Sequence, residues 1–277
     1  MKTLKELREM EKAGELIGRF SGIPNDVYHA APGWSNSRIN KVRAESFKKS
    51  KVRKYTKPFA LGGAFDELVL EPEIFAKHNS TKGMATSRIS EGPEGNVWSV
   101  KDWDTLHTMS ALLSEHKGWQ TLVSKPHKKQ ECFFWRDEKT GLTLKCKADI
   151  LLEGEATIID LKTAHSTHPK DLSKSAADNG YHQQAAHYTD GVHKVLGVEY
   201  DFIFAAIEKT PPHQIEFFRL PAEALGLGIA HRDEGLETIR GVLAGEHSGG
   251  YYKSHYGIRT IDLPRWFYTQ SEKGGEG

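Results

Sequence analysis

Cysteine is scarce in this 277-residue chain, which holds only Cys132 and Cys146. Two thiolates cannot complete a four-thiolate zinc site or an iron–sulfur cluster, so no iron–sulfur cofactor is expected. The pair flanks the turn-like segment Asp137-Glu138-Lys139-Thr140-Gly141, and a regular hairpin would set the two opposite each other as reduced, buried side chains. Long apolar runs are absent too. No stretch approaches the ~18 apolar residues that a membrane span needs. The opening Met1-Lys2-Thr3-Leu4-Lys5-Glu6 is charged and amphipathic, without the apolar block of a secretion signal, so a cytoplasmic chain with no membrane partner is expected. An excess of one charge is also missing. With 38 Lys and Arg against 37 Asp and Glu, the net charge is +1, which excludes a uniformly basic coat. Any affinity for nucleic acid has to come from local patches.

What is present is a core-forming chain, 38% hydrophobic, with no internal repeat. Residues 1–277 read as one domain. A charged helix through Glu15 comes first. Ser35 or Ser37 can then cap a helix running through Lys41, Arg43 and Phe47, followed by the densest positive run, 48–54. Helical spacing recurs over 59–75, 103–123, 181–196 and 221–245, and strand patterns over 130–135, 142–152, 200–208 and 215–220. The Ser, Thr, Gly and Pro-rich stretch 78–96 reads as a long loop, and 170–179 as polar without periodicity. This order implies a mixed α/β fold rather than a doubly wound sheet.

The chemistry concentrates in Lys147-Ala148-Asp149-Ile150-Leu151-Leu152 and Ile158-Ile159-Asp160-Leu161-Lys162. Side chains alternate along a strand, so Asp160 and Lys162 share a face while Ile159 and Leu161 turn to a core. If Asp149 reaches the same point, two hard oxygen donors meet beside an ammonium. That is minimal equipment for metal-assisted phosphodiester cleavage. An exposed strand edge with a salt bridge would give the same spacing. Gln184 and Tyr188, four apart on the next helix, present an amide and a phenol on one face. Asp66 follows Gly62-Gly63 and is a further candidate ligand, with a solvated helix flank as the alternative. Glu131 is a candidate accessory acid, or simply half of a salt bridge. Ser35, Ser37, Arg38 and Lys41, at a helix start, suit a phosphate, or form an ordinary capped surface helix.

The segments Gly141 to Asp149, Ile159-Asp160-Leu161-Lys162-Thr163 and Tyr181-His182-Gln183-Gln184-Ala185-Ala186-His187-Tyr188-Thr189-Asp190-Gly191 resemble the nuclease domain of exonuclease VIII (RecE). That domain belongs to the RecB and lambda-exonuclease branch of the PD-(D/E)XK superfamily. The resemblance extends through Tyr28-His29, Ser35-x-Ser37, Gly62-x-Ala64-x-x-x-Leu68-x-Leu70-Glu71-Pro72 and Leu263-Pro264-Arg265-Trp266, so it covers about 23–266. It implies an α/β (α+β) restriction-endonuclease-like core with a central mixed sheet flanked by helices. It also implies Mg²⁺, or Mn²⁺, held by Asp149, Asp160 and the backbone carbonyl of Leu161. Lys162 would be the catalytic lysine, and Gln184 and Tyr188 would line the site. The substrate it implies is the end of double-stranded DNA, in phage-type recombination beside a single-strand annealing protein. A ring-like homo-oligomer, trimer or tetramer, and host cytoplasm if phage-encoded, follow from the same likeness. Where the family commonly has a histidine, this chain has Asp66, which leaves that ligand open. A site-specific endonuclease of the same superfamily and a catalytically silent DNA-binding scaffold are the alternatives. A CRISPR-adaptation type of nuclease is disfavoured, because it would call for four cluster-ligating cysteines.

Overall fold

The computed structural model describes residues 2–50, 55–90 and 95–250, with 258, 260–262, 264 and 265. The basic residues Lys51 to Lys54 and the ends of the Leu263 to Trp266 motif lie outside the described residues.

Eleven helices are described: α1 Leu4–Ala13, α2 Asn25–Ala30, α3 Asn36–Ala44, α4 Phe47–Ser50, α5 Lys57–Leu70, α6 Pro72–His78, α7 Val100–Glu115, α8 Lys117–Val123, α9 Pro169–Asn179, α10 Tyr181–Leu196 and α11 Ala222–Leu243. The strands are β1 Gly18–Phe20, β2 Trp34–Ser35, β3 Asn79–Thr81, β4 Asn96–Trp98, β5 Lys128–Arg136, β6 Thr143–Leu152, β7 Thr157–Ala164, β8 Asp201–Glu208 and β9 Ile215–Phe218. Among the described residues no helix is long and apolar enough to cross a membrane.

The central sheet has seven strands in the order β1-β5-β6-β7-β8-β9, with β2 added to β6. Parallel pairing of β7 with β8 and antiparallel pairing elsewhere along this path make it mixed, as expected. One face is covered by α3, α10 and α11, which bury Phe133, Trp135, Cys146, Ile158 and Phe204. The opposite face is covered by α5, α7 and α8 around Ile150, Ile159 and Leu161, and by the N-terminal layer around Cys132 and Phe134. Close approach on the first face depends on absent side chains. A Cβ on Gly191 would lie 2.4 Å from the Trp135 ring, and one on Gly228 would lie 2.2 Å from the His182 carbonyl oxygen.

Several local expectations change. The helix begun at Ser35 ends at Ala44, not Phe47, and Pro72 starts a new helix instead of extending the previous one, because proline has no N–H to donate. The single helix expected over 103–123 breaks at His116. The expected loop 78–96 contributes β3, which pairs in parallel with β4. The polar 170–179 is helix α9, capped by the His168 side chain and closed by left-handed Gly180. The cysteines are not opposite each other. Cys132 faces Lys147 and Cys146 faces Phe133, one position out of step, so the thiols lie on opposite faces of the sheet. Both are free and buried, and burial pushes the Cys132 thiol up to about 12.

Candidate active site

The sheet forks at β6. Strand β5 occupies one edge of β6 over nearly its whole length. The other edge is shared: β2 pairs at Leu144 and Lys145, and β7 pairs only at Ile150, Leu151 and Leu152. Residues 146–149 of β6 therefore lie between two partners. The last β6–β7 pair is Ile150 with Ile159, so Asp149 and Asp160 are the first residues beyond it on the two parting strands. Asp149 replaces the missing ladder bond with its own side chain, Oδ2 accepting from the Leu161 N–H at 2.9 Å. On its other side Gln130, in the left-handed region at φ 55°, donates from Nε2 to Asp149 Oδ1 at 3.3 Å. On β6 the alternation also shifts at Asp149, since Ile150 and Leu152 reach one core while Ala148 and Leu151 reach the other.

Carboxylates approach this fork from different layers. Asp160 is 3% exposed and points with Lys162 toward α10, while Ile159 and Leu161 fill the opposite core, as the strand alternation requires. Gln184 donates from Nε2 to Asp160 Oδ1 at 2.6 Å, and the Lys162 ammonium is ion-paired with Oδ2. The stem of Lys162 is confined by aromatics, with Nζ 5.4 Å from the Tyr181 ring centroid and 5.9 Å from that of Phe204. Tyr188 packs edge-on against Phe202 at 5.8 Å. Asp66 arrives on α5 from the other face. Gly62 of the same helix faces Thr163 of β7, where a Cβ would lie in ordinary contact, 3.4 Å from Thr163 Oγ1.

The electrostatics mark these groups as one cluster. Burial, then the charges of Asp149 and Asp160, raise the Asp66 carboxyl well above its ordinary value, against the pull of Lys162. Asp149 is pushed up to about 7 by burial and then by Asp160. Asp160 is raised by burial, with Lys162 and Gln184 opposing. Burial disfavours the Lys162 ammonium, but Asp160 and Asp149 outweigh it and hold the proton on. Burial and then Asp160 raise the Tyr188 phenol well above 10.

The donor set fits a hard divalent cation. Asp149, raised by Asp160, and Asp66, raised by both, favour an added positive charge, and oxygen is the donor such ions take. Asp160 Oδ2 is buried and, although it touches Lys162, accepts no well-aligned hydrogen bond. The carboxylates are not yet gathered as a cage: among the described residues no three His, Cys, Asp or Glu side chains are spaced to hold an ion.

Not every candidate joins the cluster. Glu131 is 3% exposed and its Oε2 is taken by Arg19 Nε at 2.5 Å and Ser21 Oγ at 2.8 Å, which ties β5 to the N-terminal layer rather than to the carboxylates. Glu67, beside Asp66, accepts from Asn79 at 2.9 Å and meets His78 at 3.0 Å. Ser35 sits at the N-cap of α3, yet its hydroxyl makes no capping bond and lies 3.2 Å from the Ser37 hydroxyl. Arg38 stacks over Trp34 at 4.1 Å and burial lowers its pKa, with no carboxylate paired to it among the described residues. Lys41 lies one helical turn beyond Ser37.

Two residues in this region escaped sequence reasoning. Gln183, fully buried, donates from Nε2 to Asn36 Oδ1 at 2.9 Å and so ties the start of α3 to α10 next to Gln184. Lys147 is 7% exposed and its ammonium has no hydrogen-bond partner. The spacing 147–149 could have flagged the lysine; nothing local singles out Gln183 from the glutamine after it.

A family model described as a PDDEXK-like domain of unknown function, DUF3799, matches residues 38–254. Among solved structures, a chain from Eubacterium rectale named "Putative exonuclease" is similar at 16% identity and a TM-score of 0.60, over 86% of this chain and 93% of that one. A phage related exonuclease from Haemophilus somnus 129PT aligns at 12% identity and a TM-score of 0.37, over 77% of this chain and 96% of that one, a likeness too loose to carry an argument. No curated protein matches. The expected mixed sheet flanked by helices and the expected PD-(D/E)XK-type domain are both borne out.

Proposed function

The chain belongs to the PDDEXK-like domain family DUF3799, and on that premise we propose that it is a metal-dependent deoxyribonuclease degrading linear double-stranded DNA from its ends. The observation that carries this reading is the fork between β6 and β7, where Asp160 is ion-paired with Lys162 and held by Gln184, Asp149 is the first residue on the other parting strand, and both charges act on Asp66. Asp149, Asp160 and the Leu161 carbonyl, with Asp66, would hold a Mg²⁺ or Mn²⁺ ion. When bound, that ion supplies charge neutralisation and an acidified water.

The protein's own groups do the rest. Lys162 is kept protonated by its two aspartate neighbours in the metal-free protein; at the site it would orient or deprotonate the attacking water and offset charge on the phosphate. Gln184 fixes the Asp160 carboxylate in one orientation. Tyr188 retains its proton against Asp160 and remains a hydrogen-bond donor. Ser35, Ser37, Arg38 and Lys41, at the start of α3 with a guanidinium that has no carboxylate paired to it among the described residues, would take a terminal phosphate of the duplex. The exonuclease name borne by the Eubacterium rectale chain of the same fold points the same way. A single nuclease domain, a place in phage-type recombination beside an annealing protein, a ring-like oligomer and a cytoplasmic setting are part of the proposal, supported by the resemblance read from the sequence.

The test compares end-labelled linear duplex with covalently closed circular duplex, in Mg²⁺, in Mn²⁺ and without metal. Expected are loss of linear duplex only with metal, an intact circle, and no activity in Asp160→Ala or Lys162→Ala variants that retain native circular dichroism. Activity surviving both substitutions would overturn the catalytic assignment, and cutting of the circle would favour an endonuclease.

A further inference from the structure

Two lysines stand side by side on one face of β6, at positions 145 and 147, and the protein treats them oppositely. Lys145, 2% exposed, donates from Nζ to the carbonyl oxygens of Tyr28 at 2.7 Å and Ala31 at 2.6 Å, with His29 at 3.5 Å. Lys147 is also buried, at 7% exposure, yet its Nζ has no hydrogen-bond partner. A buried ammonium is held at a cost unless acceptors surround it; Lys145 has three carbonyls and burial still lowers its pKa to about 7, while Lys147 has no acceptor among the described residues. Lys147 is paired with Cys132 of β5 and lies where the other edge of β6 is open between β2 and β7, two residues before Asp149. Its charge is felt by both of those groups. A divalent cation with Lys162 would balance the three aspartates; an incoming phosphodiester then adds one negative charge, and among the described residues Lys147 is a cation near Asp149 that has no hydrogen-bond partner.

We propose that Lys147 is a substrate-binding residue whose ammonium takes a non-bridging oxygen of the DNA backbone as the strand passes the fork. This rests on the proposed nuclease reading. A four-carbon stem lets the ammonium advance from its buried position to the phosphate without moving the strand, and the contact is to backbone, so it carries no sequence preference.

The test uses the full chain with Lys147→Met and Lys147→Arg. Equilibrium binding to an end-labelled duplex is measured in Ca²⁺ over a series of salt concentrations, beside thermal unfolding without DNA. Expected for Lys147→Met is binding weaker by about tenfold with a salt slope smaller by about one, while the melting temperature holds or rises because a buried charge has been removed. Lys147→Arg retains most of the affinity. Unchanged affinity and slope in Lys147→Met would overturn the proposal, as would a fall in melting temperature accompanying the loss of binding, since that marks a structural lysine. If the wild-type protein neither binds nor cuts duplex, the nuclease reading itself fails; if it does both and Lys147→Met binds equally well, only the phosphate contact fails.

Discussion

Replacing Asp149 with asparagine should stabilise the metal-free protein at neutral pH and do almost nothing in acid. The carboxyl is raised from an ordinary 3.8 to about 7, by burial and then by Asp160, against Lys162, the Leu161 N–H and Lys147. A group that binds its proton more tightly when folded contributes its full stability below the unfolded pKa. That contribution is lost as pH rises through the folded value. At about 1.4 kcal/mol per pH unit, the displacement from 3.8 to about 7 sets a ceiling of about 4 kcal/mol. The repulsion is shared with Asp66 and Asp160, so about 2 kcal/mol is a fair lower figure. Asparagine keeps an oxygen for the Leu161 N–H, and its amide can face Gln130 once that side chain turns over. Urea unfolding in EDTA should therefore show wild-type stability declining between about pH 4 and pH 7.5. The Asp149→Asn variant should be flatter and more stable by about 2–4 kcal/mol at the upper end. Equal stability of the two proteins at pH 7.5, or a wild type that gains stability over this range, would refute the account of the cluster as mutually repelling, proton-hungry carboxylates.

Two further outcomes test the framework around the site. Gly228→Ala should cost at least about 2 kcal/mol in urea unfolding, because its Cβ would lie 2.2 Å from the His182 carbonyl and force α11 off α10; a variant of wild-type stability would show that these helices are not in such close contact. Lys145→Met should cost about 2–4 kcal/mol, since it strips the donor from the buried carbonyls of Tyr28 and Ala31, and hydrogen exchange should quicken in α2; unchanged exchange there would deny the lysine its role in holding that helix to the sheet.

Part of the site was legible because it depends on local period. Asp160 and Lys162 share a face for the same reason that Ile159 and Leu161 share the other, and Gln184 points at the sheet because α10 runs without a break from Gly180 to Gly197. Long helices and strands were read for the same reason. Helix α9 was missed because its apolar stripe is thin, only Leu172 and Ala176 being buried. Residues 78–96 read as a loop because β3 and β4 are three residues each and pair with one another rather than with the main sheet.

By itself the sequence determined which candidate residues share a face, since alternation along a strand and the turn of a helix are properties of the backbone. Only the tertiary structure decided who meets whom. The β6–β7 ladder stops at Ile150 and Ile159, and that stop turns Asp149 and Asp160 into neighbours at a fork. Arg19 draws Glu131 away to the N-terminal layer, and among the described residues Lys147 is left without an acceptor. Such outcomes depend on where distant strands part and on which buried charge finds a partner. Register and desolvation are set by the whole packed molecule, and no short stretch of residues encodes them.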